Sequence, residues 1–400
     1  MICPEPSELQ ELVREWHQQA RPWLPAGSGS RLGWGAPVQP AAGESEVLVL
    51  STSRLNRLVE HRAGDFTVTV EAGLPLQQLQ AELAEARQWL AIDWPWGSGS
   101  LGEASGSVGG LVARGVSGGL RQRYLGIRDQ LIGVSLMRAD GTEAKAGGQV
   151  VKNVAGYDLM RLLAGSWGSL GLITSLTLRT YPLPPQRAGL WITGPLAALE
   201  RMRQLCLAAP LLPQRLDWRL QPQDARGTAG LLLALVSVSR PAIEAQLEEH
   251  RRQANALGLS VESLQGEALH ALEAEARGAA SHSRLAAEPR WLLQLGVLPA
   301  QVQQLLSDGA CEGLQASVAA GAGLGLAWAA PQTLPAHRVE RLRRRCRELG
   351  GDLTVLQQPQ PHALTAWTDA PARAVIEAVK REFDPLQQLA RGRLPGVAPR

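Results

Sequence analysis

The run Gly147-Gly148-Gln149-Val150-Val151-Lys152-Asn153-Val154-Ala155-Gly156-Tyr157-Asp158-Leu159, followed by Leu163-Ala164-Gly165-Ser166-Trp167-Gly168-Ser169-Leu170-Gly171-Leu172-Ile173-Thr174, sets a glycine-punctuated polar turn between apolar stretches. The chain then comes back to a strand-like segment over 170–178. Glycines at this density let the backbone approach a bulky polar ligand with no Cβ in the way. Lys152, Asn153, Tyr157 and Asp158 are polar residues in an apolar setting, which calls for hydrogen bonds to one another or to a ligand. A plain structural turn accounts for the glycines, but not for Lys-Asn beside Gly-Tyr-Asp.

Upstream of this turn, residues 8–19 have the pattern of a short amphipathic helix ending before Pro22, and 47–50 and 66–70 read as strands. Leu76, Leu79 and Leu83 mark one face of a helix opened by Gly73 and Pro75. Residues 131–137, then Asp140-Gly141, then a second strand reaching Lys145, spell a hairpin, because Asp-Gly favours the positive φ angles of a tight turn. Tyr181-Pro182-Leu183-Pro184-Pro185 breaks the pattern and marks a domain boundary, giving units of 1–184 and 185–400. Beyond it strands at 231–238, 291–298 and 324–329 alternate with helices at 196–206, 241–257, 299–307 and 336–349, an α+β arrangement. Arg341-Leu342-Arg343-Arg344-Arg345 reads as the solvated face of the last helix.

Composition narrows the function. The 400 residues carry 40 Lys plus Arg against 37 Asp plus Glu, so no whole-molecule field points to nucleic acid or an anionic membrane. Cys3, Cys206, Cys311 and Cys346 lie far apart, which suits a reducing compartment and lacks the spacing of an iron–sulfur ligand set. His17, His61, His250, His270, His282, His337 and His362 are scattered without metal-ligand spacing, so no metal site is expected. The N-terminal segment has no signal-peptide core and no apolar run is long enough to span a bilayer. These features together predict a cytoplasmic protein, at a membrane only through partners.

Two further glycine-rich loops suit a buried diphosphate, which needs many N–H donors and little side-chain bulk. One is Gly27-Ser28-Gly29-Ser30 within residues 26–35; the other is Gly106-Ser107-Val108-Gly109-Gly110, leading into a short helix. Gly97-Ser98-Gly99-Ser100-Leu101-Gly102 spells the dinucleotide fingerprint, but Trp94-Pro95-Trp96 stands where the preceding strand should be and more glycines follow instead of a long helix. Glu103 stands where a phosphate-binding P-loop needs Lys.

The Lys152–Asp158 turn, the two loops and the 163–174 segment together resemble the PCMH-type FAD domain of the vanillyl-alcohol-oxidase family, and most closely the FAD-binding, E-type subunits of bacterial glycolate oxidases. The resemblance covers roughly the first half of the chain. It implies a PCMH-type domain of two α+β subdomains with a C-terminal α+β cap. It also implies FAD at Gly27, Ser28, Gly29, Ser30, Gly106, Ser107, Gly109, Gly110, Lys152, Asn153, Gly156, Tyr157, Asp158 and Ile173. In the resembled family a loop like 121–129 runs along the cofactor, which would place Arg123, Arg128 and Asp129 there; a surface salt bridge is an equal reading for either Arg. Some members attach FAD through a His or Cys in the first loop; here only Ser28 and Ser30 occupy those positions, so FAD is expected to be non-covalent. The closing signature is present as Gly392-Arg393-Leu394, but Ala390-Arg391 replaces the usual Asn-Pro, which leaves the role of Arg393 open.

The function these readings imply is that of a FAD-binding subunit in a glycolate oxidase or dehydrogenase complex oxidising glycolate to glyoxylate, beside a second flavoprotein subunit and an iron–sulfur subunit. The His-rich motif that abstracts the substrate proton in related chains is missing, so the catalytic base is assigned to a partner. Two other readings stay open: a stand-alone FAD-dependent oxidoreductase of another 2-hydroxy acid or alcohol, and a structural subunit that has lost FAD.

Overall fold

A computed structural model of the chain describes residues 1–93, 106–149, 157–221, 229–276, 290–360 and 363–398. Two antiparallel sheets organise it. The first has the spatial order Leu58–Arg62, Thr67–Glu71, Leu172–Arg179, Leu131–Met137 and Glu143–Gly147. Helices Leu76–Glu85 and Val108–Arg114 cover it, burying Leu76, Leu79, Leu83, Val108 and Val112 against Val70, Val134 and Leu176. A separate parallel pair, Trp23–Ala26 with Leu48–Ser51, is backed by helix Leu9–Gln18 through Leu9, Val13 and Trp16. Gly141 takes φ +76° at the tip of the 131–147 hairpin, as its Asp-Gly turn requires.

The second sheet has eight strands in the order Ser260–Leu264, Gln186–Thr193, Ala229–Ser237, Arg215–Leu220, Gln315–Ala319, Leu324–Ala329, Trp291–Gly296 and Asp352–Gln357. The period of two decides what each face meets. Leu231, Leu233 and Leu235 point into a large core with helices Leu196–Ala208, Arg240–Ala256, Val302–Leu306 and Ala336–Glu348. Their neighbours Leu232 and Ala234 point the other way, against helix Gly266–Ala276. On that same outer face Leu292, Leu326, Trp328 and Leu356 pack on Trp34, Val116 and Trp167 of the N-terminal half. This apolar seam joins the two sheets.

The last thirty residues return to the N-terminal half. Lys380, on helix Arg373–Phe383, is 4 % exposed; its Nζ donates to the carbonyls of Ser169 (2.7 Å) and Leu389 (2.8 Å) and pairs with Asp384. Asp384 accepts from the Gln388 and Leu389 amides, and residues 388–390 bond Trp23 on both sides. Two expectations are corrected. The helix over 299–307 is a 3-10 turn, Pro299–Gln301, followed by the short helix Val302–Leu306. Arg343 is not on a solvated face: it shares the inner side of its helix with Val339 and Cys346, and its guanidinium donates to the carbonyls of Leu353, Thr365 and Ala366.

Candidate functional site

A cleft of about 940 Å³, counting its open side, lies between the parallel pair, helix Val108–Arg114 and the 163–173 turn, beside the apolar seam. Its size falls in the range of roughly 300–1,000 Å³ usual for cofactor sites. Gly27, Ser28, Gly29, Ser30, Gly106, Ser107, Gly109, Gly110 and Ile173 all line it, so three segments far apart in sequence meet at one hollow. Lys152, Asn153 and Gly156 fall outside the described residues, as do the glycines of 97–102.

The two glycine loops reach the cleft for different reasons. In the first, the amides of Ser28, Gly29 and Ser30 have no acceptor among the described residues, and Gly29 takes φ +76°, a conformation that L side chains rarely adopt. Ser51 Oγ donates to Gly27 O (2.7 Å), which anchors the loop to the parallel pair. A Cβ on Gly27 would collide with the Ser107 hydroxyl, so that glycine lets the two loops touch.

In the second loop, Val108 N bonds Leu74 O (3.0 Å), Gly109 N bonds Ala72 O (2.8 Å) and Gly110 N bonds the Ser107 hydroxyl (3.2 Å), the N-cap of the helix. A Cβ on Gly109 would stand 2.7 Å from Ala72 Cβ and 2.9 Å from Ala72 O. Both glycines still line the cleft. The amides of Gly109 and Gly110 are spent inside the protein, and Gly109 serves helix–sheet approach.

Tyr157 and Asp158 stand apart from the cleft. Tyr157 is 86 % exposed, and Asp158 pairs with Arg161 at 3.1 Å on the surface; neither lines the cleft. Arg123 and Arg128 lie elsewhere as well. Arg123 donates to Leu212 O (3.0 Å) and Arg128 is exposed, while Asp129 caps its own turn through Gly126 N.

Two cationic side chains, Arg31 and Arg114, are what sequence reading missed, and the role left open for Arg393 lies beside them. Arg31 and Arg114 line the cleft, and Arg393 stands behind its wall, close enough to act on Arg114. Arg114 donates to Arg31 O (2.8 Å) and lies over the Trp167 ring, 4.1 Å from its centroid. Arg393, 3 % exposed, donates to Ala36 O (2.6 Å) and Leu32 O (2.8 Å), so it braces the far side of the first loop. One buried guanidinium nitrogen, Nη1, of Arg114 and of Arg393 has no hydrogen-bond partner among the described residues, and neither residue forms an ion pair there.

Burial pushes Arg31 and Arg393 down to about 10, and burial together with the charges of Arg393 and Arg31 pushes Arg114 down to about 9. Gathering like charges in this way is unfavourable until an anion joins them. Amides with no acceptor among the described residues, and the orphaned buried donor of Arg114, on one hollow fit a dianionic diphosphate. The pattern that could have flagged Arg114 is its place at the end of an otherwise apolar and glycine run, 108–113.

Residues 1–147 match the family model described as FAD binding domain. Over 225 residues the chain is 30 % identical to "Glycolate oxidase subunit GlcE" of Escherichia coli (strain K12), covering 56 % of this chain and 57 % of that protein. It is 36 % identical over 180 residues to a D-2-hydroxyglutarate dehydrogenase of Xanthomonas citri pv. viticola, covering 44 % of this chain and 36 % of that one. It is 29 % identical over 217 residues to "Glycolate oxidase subunit GlcD" of Bacillus subtilis (strain 168), covering 54 % and 44 %. The chain thus spans about half the length, or less, of these relatives. Among solved structures, an alkyldihydroxyacetonephosphate synthase superposes with a TM-score of 0.72 at 15 % identity, over 98 % of this chain and 77 % of that one, which establishes the shared α+β, PCMH-type fold. Residues 1–147 thus match a FAD binding domain, and the relatives that align with the chain carry the names of oxidase subunits and dehydrogenases.

Proposed function

We propose that the chain binds one FAD non-covalently and serves in the oxidation of a small 2-hydroxy acid, glycolate being the first choice, as the FAD-binding subunit of a larger complex. The observation that carries this reading is the meeting of the Ser28–Ser30 amides with Arg31 and Arg114 on one cleft at the seam, with Arg393 bracing the first loop from behind. A diphosphate lodged there would neutralise the guanidinium groups and give the orphaned Nη1 of Arg114 an acceptor.

Trp34, Trp167 and Val116, packed on the cap, keep water from the seam side of the cleft, toward which the isoalloxazine would lie. Gly110 and Ile173 leave room along the opposite wall, the side proposed for adenine. Lys152, Asn153 and Gly156 are assigned to the flavin on the family resemblance. Bound flavin supplies two-electron redox chemistry, with electrons coming from the 2-hydroxy acid or from a second flavoprotein subunit and passing to an iron–sulfur subunit.

No Cys or His lines the cleft among the described residues, which supports non-covalent attachment. The names of the relatives support the substrate class and the place in a complex. No helix of the described residues is long and apolar enough to cross a membrane, and all four cysteines are free, in keeping with a reducing, cytoplasmic setting.

The test is an absorption spectrum of the purified chain, then an anaerobic series with glycolate, D-lactate and D-2-hydroxyglutarate. The reading predicts a yellow protein with about one FAD, slow bleaching by glycolate alone, and faster bleaching once partner subunits are added. Rapid bleaching by the isolated chain points to the stand-alone oxidoreductase. A stable complex without flavin points to the structural subunit.

A further inference from the structure

Away from the cleft, the seam holds a cluster of charged side chains that the proposed flavin site does not use. Arg215, 2 % exposed on strand Arg215–Leu220, pairs with Asp93 from the N-terminal half and with Asp217 from its own strand, and its Nε lies 3.6 Å from Glu273. Glu273 in turn takes Arg187 at 2.6 Å, and Arg187 meets His270 at 3.2 Å. Burial works against the charge on Arg215, yet Asp93, Asp217 and Glu273 hold its proton above the ordinary arginine value.

Asp93 looks both ways. Its other oxygen accepts from the Leu120 amide (2.8 Å), so one carboxylate joins a turn of the flavin half to a strand of the cap. Neighbouring links run the same way: Gln214 donates to the Tyr124 hydroxyl (3.2 Å) and Arg123 to Leu212 O (3.0 Å). Gly118 and Gly119 come so close that a Cβ on either would strike Asp93 or Asp217. Between this turn and the sheet lies a small cavity of about 310 Å³, walled by Ser117, Gly118 and Gly119 on one side and by Arg215, Ser317 and Leu326 on the other.

A buried ion pair contributes little net stability, because desolvation offsets most of the attraction; what it does well is select one arrangement. We propose that Arg215 is a positioning residue, which by gripping Asp93 fixes the 116–124 turn against the cap and so sets the seam beside the cofactor cleft. This rests on the flavin reading only for its consequence at the cofactor; the grip itself is independent of it. The other polar seam links become followers of this pair.

The experiment compares the full chain with Asp93→Asn, which keeps an acceptor for Leu120 N but removes the charge, and with Arg215→Lys, which keeps the charge but loses the two-pronged geometry. Amide exchange at 116–124 and 212–217 should quicken about tenfold in Asp93→Asn, with 131–137 and 172–179 unchanged, and less in Arg215→Lys. The visible circular dichroism of bound FAD should shift in the same order. Quickening spread evenly over both sheets, no quickening at the seam, or a localised loss that leaves the flavin dichroism untouched overturns the proposal. A parent chain that takes up no flavin counts against the proposed function; exchange alone then decides for or against the grip, by whether the loss is local and smaller with Lys.

Discussion

The two glycine loops at the cleft have nearly the same composition and opposite jobs. The amides of residues 28–30 have no acceptor among the described residues and face the hollow; residues 108–110 have every amide bonded within the protein and face it only with a wall. In the first loop glycine lets Ser107 approach at Gly27 and supplies the positive φ of Gly29. In the second it makes room for a neighbouring strand, at Ala72. A glycine-rich stretch therefore marks close approach, and only the hydrogen-bond bookkeeping of its amides says whether the thing approached is a ligand.

That contrast can be broken by substitution. Gly109→Val places a branched side chain against Ala72 Cβ and O, so it should cost about 3 kcal/mol of stability by urea unfolding, with or without FAD present. Full stability with flavin lost selectively would return this glycine to the ligand. Arg114→Met should do the reverse. FAD affinity falls about 10–100-fold, the worth of roughly 1.5–3 kcal/mol for a hydrogen bond to a charged group, while the flavin-free protein shifts by less than about 1 kcal/mol because an uncompensated buried cation is gone. Isothermal titration and thermal melts read the two effects separately.

Gly29→Ala forces a side chain into φ +76° and should cost about 1 kcal/mol, with flavin binding a few-fold weaker in a fluorescence titration. The smallest effect belongs to Tyr157→Phe. At 86 % exposure the hydroxyl has no part in the cleft, and flavin affinity should stay within about twofold. A larger loss there would bring the 157–158 turn back to the cofactor.

Much of this was legible in the sequence because it rests on local pattern. The Asp140-Gly141 hairpin, the buried run of 229–237 and the helix at 240–256 follow from turn chemistry and periodicity, and three glycine-marked segments do converge. What escaped depends on distant pairings. Arg393 lies more than 350 residues from the Ala36 carbonyl it holds, and Arg114 meets Trp167 across two elements. Arg343 looked like part of a charged surface until the helix phase turned it under. Tyr157 looked buried by its neighbours in sequence, yet a turn takes its polarity from where the chain goes next.

The central claim is that a diphosphate is what the first loop and its arginines hold. The most direct test is to titrate the flavin-free chain with FAD and with riboflavin, which carries the same ring and no phosphate. One FAD per chain should bind at least about 100-fold more tightly than riboflavin, a gap that narrows in Arg114→Met. Equal affinity for the two, or a gap unmoved by that substitution, would contradict it.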